Sequence, residues 1–440
     1  MTLAGSILSA SAMAADRQIT SAPHGHVLTN TGIWSPDSRW IAYDTRPADH
    51  LFEGTRIERI EVATGRIETL YTSTGGAACG VVTWHPTEPR VVFIHGPESP
   101  TSDWSYGMTR RRGAMVDARS PGVARPLDAM NYAPPFTPGA LRGGSHVHVF
   151  SPDGGAVSFT YEDEVLARPE PSGGRDPNQR TIGVTLLGPG RRVTVARSHP
   201  RSHDGEGFTV VVARTVNRPR AGSDEINRAY EECWVPRTGG PRTLAFLGNV
   251  TAPDGREHPE VFLVELPADL TVAGDAGPLE GTETRRPAPP RGTVQRRLTF
   301  TRDRKFPGVV TTPRHWLRAA PDGSAIAFLL KDDAGEPQLW TVSPAGGESR
   351  QLTRNPSGVA SAFSWSPDGR RIAHVMDGSV CVTAIATGTT TRLTPRVVGE
   401  DAPLALACVF SPDGGRIAYQ RKVRGAGGVF AQIFVVDAEP

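Results

Sequence analysis

Cysteine is scarce. The 440-residue chain has four, Cys79, Cys233, Cys381 and Cys408, and no two form a Cys-x-x-Cys pair. That excludes a zinc ribbon or a thioredoxin-type redox site and leaves each thiol the role of a small buried hydrophobe. Net charge is scarce as well. A formal +2 gives little attraction for nucleic acid or an anionic membrane, so neither is expected as a partner. No stretch is long and apolar enough to span a bilayer. No Gly-x-Ser-x-Gly elbow is present, which excludes an α/β-hydrolase domain. No Gly-x-x-x-x-Gly-Lys loop exists to cradle a nucleotide phosphate.

Glycine and proline, in contrast, are abundant, at 48 and 39 residues. Turns must be frequent, and a helical bundle is excluded. The turns repeat. Ser35-Pro36-Asp37, Ser151-Pro152-Asp153-Gly154, Ala320-Pro321-Asp322-Gly323, Ser366-Pro367-Asp368-Gly369 and Ser411-Pro412-Asp413-Gly414 suit type I turns between apolar β-formers. The last three Asp positions lie 46 and 45 residues apart. A β-type repeat with a period in the forties is the signature of four-stranded propeller blades. Weaker copies are expected at Trp84-His85-Pro86 and Ser198-His199-Pro200, which gives seven blades, with six or eight open.

A second motif, Arg-Gln-Leu-Thr or a variant, stands at Arg296–Thr299, Arg350–Thr353 and Thr391–Thr394, where it should form the outer strand of a blade. A further copy, Arg17-Gln18-Ile19-Thr20, lies near the start, and the last repeat has room for only three strands. The N-terminal strand is therefore expected to close the ring, which removes exposed sheet edges. The expected fold is all-β, a single propeller over residues 16–440, with residues 1–15 a signal peptide or a disordered tail. Residues 3–14 are small or apolar and end in Ala12-Met13-Ala14, the form of a signal-peptidase site, but no Lys or Arg precedes them. The protein is expected in the periplasm or outside the cell if this is a signal, and in the cytoplasm otherwise.

One short helical insertion is expected over residues 223–234. Ser223 can cap it, and Ile226, Ala229, Tyr230, Cys233 and Trp234 share one face by helical spacing. Asp224, Glu225, Glu231 and Glu232 would then form its wet face. Residues 278–292, with Pro287, Pro289 and Pro290, should be an extended surface loop.

The Ser-Pro-Asp-Gly turns and Arg-Gln-Leu-Thr strands resemble the repeats of TolB-like β-propellers, a group that includes the Tol-system protein and oligogalacturonate lyase. Three stretches, Gly143–Pro152, Ser223–Glu231 and Pro313–Trp316, look like a bacterial propeller family of unknown function. The fold is what this resemblance implies, since propellers host unrelated activities.

Comparison between repeats suggests where chemistry sits. Six residues before each turn proline the chain should enter its innermost strand at the channel mouth. Those residues are Asn30, Gly80, His146, Thr194, His315, Ser361 and Leu406. His146 and His315 would converge on one funnel, with Arg314 beside them, as catalytic candidates. Asn30, Arg142 and Ser361 are ligand-binding candidates. His148 reads as a satisfied histidine between blades, and Arg110-Arg111-Arg112 as a solvated hairpin edge. Resemblance to oligogalacturonate lyase implies a divalent metal held by histidines, here drawn from His24, His26, His146 and His315, and a uronate substrate. The first reading is thus a funnel for a small anionic ligand, an acidic sugar, with metal-assisted β-elimination as the reaction. The alternative is a non-enzymatic propeller that docks a protein partner through the helix or the proline-rich loop.

Overall fold

The computed structural model describes residues 16–168, 174–425 and 427–439. The expected signal peptide or tail over residues 1–15 lies outside them. Seven antiparallel sheets follow one another around a ring. Blade 1 contains Trp40–Asp44, Arg56–Glu61 and Ile67–Thr72, with its inner segment joined by bridges at Val27↔Asp44 and Trp34↔Ile41. Blade 2 runs from Cys79–Trp84 to Arg125–Pro126, blade 3 from Gly143–Phe150 to Phe208–Val211, and blade 4 from Ile226–Val235 to Val294–Arg297. Blade 5 runs from Arg318–Ala319 to Arg350–Gln351 and blade 6 from Ser364–Trp365 to Thr390–Arg392.

Blade 7 has three strands of its own, Pro403–Phe410, Arg416–Gly425 and Gly428–Asp437. Its fourth is Arg17–Gln18, which pairs Arg17 with Val435 and Gln18 with Phe434. The two ends of the chain therefore close the ring. The closing strand explains its own motif. Thr20 Oγ1 accepts the Ile433 N–H at 2.8 Å, just past the last strand pair. Thr299, Thr353 and Thr394 do the same for Val261, Leu339 and Val380 at 2.9, 2.9 and 3.0 Å. The threonine satisfies a backbone donor that the short outer strand leaves unpaired.

The turns also explain theirs. Ser151, Ser366 and Ser411 donate to the aspartate two residues on, and each accepts the N–H five residues on. Each interface between consecutive blades holds one apolar core, as between blades 3 and 4 (Ile182, Val184, Phe246, Phe262) or blades 4 and 5 (Leu247, Val261, Phe328, Leu330).

Three expectations are corrected. Residues 223–234 do not form a helix: Ile226–Val235 is the innermost strand of blade 4. Two bulges, between Ile226 and Ala229 and between Tyr230 and Cys233, each insert one residue against the neighbouring strand. They turn a period of two into spacings of three and four, which imitates a helix. The one α-helix among the described residues is a single turn, Glu164–Ala167, capped by Asp163. The fourth turn proline is Pro236, after Val235, and not Pro200, which lies in a long excursion between the third and outer strands of blade 3. The proline-rich loop is not simply a surface loop, because Pro287, Ala288 and Pro290 are buried.

Candidate functional site

With Pro236 as the turn, Tyr230 replaces Thr194 in the set six residues before each turn. The next position inward, five before, is occupied by Thr31, Val81, Val147, Glu231, Trp316, Ala362 and Ala407. Val81, Val147 and Glu231 share a backbone feature. Their φ angles are 60°, 55° and 55°, and each sits in a bulge of its innermost strand. Left-handed geometry is rare for non-glycine residues and rarer still for valine. It occurs at one equivalent position in blades 2, 3 and 4. Val81, Val147 and Trp316 belong to one apolar cluster with Ile94, and Phe52 and Tyr106 pack against it.

Charged groups gather around this apolar floor. His146 pairs in register with Thr160 of the neighbouring strand, and Thr160 Oγ1 donates to Glu232 at 3.3 Å. His146 is half-buried, and its Nδ1 has no hydrogen-bond partner. Burial, and then the charges of Arg111, Arg314 and Arg180, hold its pKa well below the ordinary histidine value, so the ring is neutral. Arg314 Nε donates to Glu231 Oε1 at 3.0 Å, and the Arg314 guanidinium lies 4.4 Å over the Trp316 ring. Arg180 Nε donates to Glu162 Oε1 at 2.9 Å. Glu231 and Glu232 are both buried, and each keeps one oxygen unpartnered. Burial pushes the Glu232 carboxyl up to about 7, and the adjacent Glu231 charge acts the same way.

Arg111 is the group that the sequence concealed. It was expected at a solvated edge with its neighbours. Arg110 and Arg112 are half-buried and each holds a carboxylate, Arg110 the buried Glu164 at 3.1 Å and Arg112 the exposed Glu98 at 3.1 Å. Strand alternation turns Arg111 the other way. It is 6% exposed and, among the described residues, has no carboxylate partner and makes one side-chain bond, to Tyr106 Oη at 3.3 Å. Its Nε is buried without a partner. The nearby carboxylate that acts on it, Glu162, is already committed to Arg180.

The other candidates lie elsewhere or are occupied. Arg142 is not at the rim. It is 1% exposed, pairs with Asp163 at 2.7 Å, and donates to the carbonyls of Thr282 and Arg285, so it clamps the proline-rich loop. His315 Nδ1 faces the Pro313 carbonyl at 3.1 Å and its Nε2 accepts the Leu329 N–H at 3.4 Å. Ser361 makes the equivalent bond in blade 6, accepting the Val375 N–H at 2.8 Å. Both residues serve the backbone of their own blades. Asn30 accepts from the buried Arg318 guanidinium. His148 Nε2 contacts Ser145 Oγ at 2.9 Å within its own strand, while its Nδ1 is buried without a partner, so the ring is only half satisfied. His24 and His26 stack on each other at 4.3 Å, His26 also meets the Tyr43 ring at 5.0 Å, and burial holds the His26 pKa down to about 4. The four histidines expected to hold a metal do not assemble. Among the described residues no group of three or more His, Cys, Asp or Glu could hold a metal ion.

Seven blades carrying these turn and strand motifs define the class: a TolB-like β-propeller. The chain belongs to the family of the Uncharacterized protein YidR of Escherichia coli (strain K12), to which it is 49% identical over 407 residues, 92% of this chain and 94% of that protein. The family model described as Protein of unknown function (DUF3748) matches residues 78–203, the stretch that carries Arg111, His146, Glu162 and Arg180. The fold is also that of an oligogalacturonate lyase in complex with manganese, at TM-score 0.58 and 13% identity over 97% of this chain and 94% of that one. An oligogalacturonate lyase from Vibrio parahaemolyticus matches at TM-score 0.58 and 10% identity, over 98% and 95%. No helix among the described residues is long and apolar enough to cross a membrane.

Proposed function

We propose that this propeller binds a small anionic molecule, an acidic sugar, at the mouth of its channel, on the side formed by blades 2 to 5. One observation carries the reading: Arg111 is a buried guanidinium with no carboxylate partner among the described residues. A buried charge left uncompensated is costly, and a protein that keeps one without a partner has a use for it. The surrounding side chains agree. Arg180 and Arg314 are paired one for one with Glu162 and Glu231, whereas Arg111 has no such pairing. Arginine meets a carboxylate in a planar fork. Trp316 and the valine floor offer an apolar surface, and the open carboxylate oxygens accept from hydroxyls.

Elimination on a uronate is the reaction class this chemistry favours. Such a step needs the substrate carboxylate neutralised, which Arg111 supplies, and a base whose protonation changes near neutral pH, which Glu232 supplies. The histidine set does not fit a metal, so no step is routed through one. A small-molecule ligand and an exported location, drawn from the apolar residues 3–14, complete the proposal. The docking helix of the alternative reading is a buried strand of blade 4.

Calorimetric titration with galacturonate tests the site. One molecule should bind per chain, with binding abolished in Arg111→Met and weakened in Arg314→Lys. Absence of binding to the wild type, or equal binding by all three, would refute the assignment. Incubation with oligogalacturonate, followed by ultraviolet absorbance of the conjugated product, tests the elimination.

A further inference from the structure

Glu231 departs from what the fold asks of its position in three separate ways. The equivalent residues in the other blades are uncharged: Thr31, Val81, Val147, Trp316, Ala362 and Ala407. Its backbone has φ 55°, left-handed geometry that favours glycine. Its side chain is 7% exposed, yet Oε2 has no hydrogen-bond partner while Oε1 holds Arg314 at 3.0 Å. Strain, burial and an orphaned acceptor coincide in a residue the ring itself does not require, and such coincidences mark groups held in place for a ligand. An ionised carboxylate only accepts, so the complement of Oε2 is a donor on the ligand. Arg314 fixes the carboxylate from one side and rests on Trp316, which leaves Oε2 pre-oriented.

We propose that Glu231 reads the hydroxyl groups of the anion whose carboxylate Arg111 holds, so that the funnel selects a polyhydroxy acid over a plain carboxylate of similar size. This rests on the anion-binding reading above and adds the residue that sets specificity. A site built to bond a hydroxyl discriminates strongly against the analogue lacking it, because the buried acceptor is then left unpaired.

The test compares galacturonate with cyclohexanecarboxylate, a ring acid of similar size without hydroxyls, by calorimetry on wild type, Glu231→Val and Glu231→Gln. Valine is the residue at this position in blades 2 and 3, so the backbone accommodates it. Wild type should favour galacturonate at least about tenfold. In Glu231→Val the preference should fall to near unity, with cyclohexanecarboxylate binding retained. Glu231→Gln keeps the shape and loses the charge, and should fall between the two; it also serves if the valine variant does not fold. Equal affinities in wild type, or an unchanged preference in both variants, overturns the inference and leaves the anion site standing. A marked fall in melting temperature in both variants also overturns it, since Glu231 is then structural. Failure of either acid to bind wild type overturns the inference together with the reading beneath it.

Discussion

Replacing Arg111 by methionine should stabilise the empty protein. The guanidinium is 6% exposed, and its side chain makes one bond, a long one at 3.3 Å to Tyr106. Burial lowers its pKa, which is the same penalty seen in the proton equilibrium. Exchanging a buried ion for an apolar residue of similar volume is neutral or stabilising by about 1–4 kcal/mol. A middle figure of about 2 kcal/mol is reasonable here, because no salt bridge is lost. The unfolding entropy is about 2.1 cal/mol/K per residue, or about 0.9 kcal/mol/K for this chain, so the melting temperature should rise by about 2 °C. Galacturonate at a hundredfold over its dissociation constant should stabilise wild type by about 2.7 kcal/mol, or about 3 °C, and the variant not at all. The order of melting therefore inverts: the variant melts higher without ligand and the wild type higher with it. Scanning fluorimetry at a series of ligand concentrations reads both shifts. A variant that melts about 2 °C lower without ligand, or that climbs with galacturonate as wild type does, would refute the reasoning.

Further outcomes follow from the same geometry. Deleting residues 2–21 should lower the melting temperature well below that of a 2–15 deletion, because only the longer cut removes the Arg17–Gln18 pairing and the Thr20 bond to Ile433; equal melting would sink the closure. Glu232 has a folded pKa of about 7, raised above its unfolded value, so its contribution to stability is complete below about 4.5 and is lost as pH rises through about 7. Glu232→Gln should flatten that loss, and wild type should bind galacturonate more tightly at pH 6 than at pH 8, where the added negative charge opposes the anion; tighter binding at pH 8 would point to another titrating group. At Val147, glycine should be more stable than alanine by about 1 kcal/mol in denaturant unfolding, the reverse of the usual order, because alanine keeps the left-handed strain; alanine equal to or above glycine would show that the bulge is relaxed.

The ring was legible because its signals are local. A Ser-Pro-Asp-Gly turn and an Arg-Gln-Leu-Thr strand each solve a backbone hydrogen-bonding problem within a few residues, so each copy carries its own explanation. The N-terminal copy could be matched to the missing strand of blade 7 for that reason. Blade 4 was misread where the local signal had worn away. Its turn keeps Pro236 but has lost the serine and aspartate, and its bulged innermost strand imitates helical spacing. That single error displaced Glu231 and Glu232 from the channel comparison and put them on the wet face of a helix that does not exist. Arg111 was hidden for a different reason. In a run of three arginines, composition cannot say which one faces inward, and its neighbours in space lie at positions 146, 162, 180 and 314, which meet only when the ring closes. A strict alternation count back from Met115, which packs toward blade 3, was the one signal that pointed to it.

The bulges decide which repeat positions are available for chemistry. In blades 5 and 6 the residue six before the turn proline bends back to accept an N–H from its own second strand, at Leu329 for His315 and Val375 for Ser361. Those side chains are consumed by the fold, whatever their chemical type. In blades 2, 3 and 4 the extra residue five before the proline shifts the register and re-aims its neighbours. His146 thereby keeps an unpartnered nitrogen while His315, at the equivalent position, does not. The same shift places Val81 and Val147 side by side in the floor and brings Glu231 beside Arg314. A seven-fold repeat would otherwise present a near-symmetric channel with no preferred side. Strain at three consecutive blades breaks that symmetry, and it does so beside Arg111, a buried guanidinium that lacks a carboxylate partner among the described residues. The cost of the left-handed residues and the cost of Arg111 therefore fall on one half of the ring, which is the pattern expected when a fold is bent locally to hold a ligand.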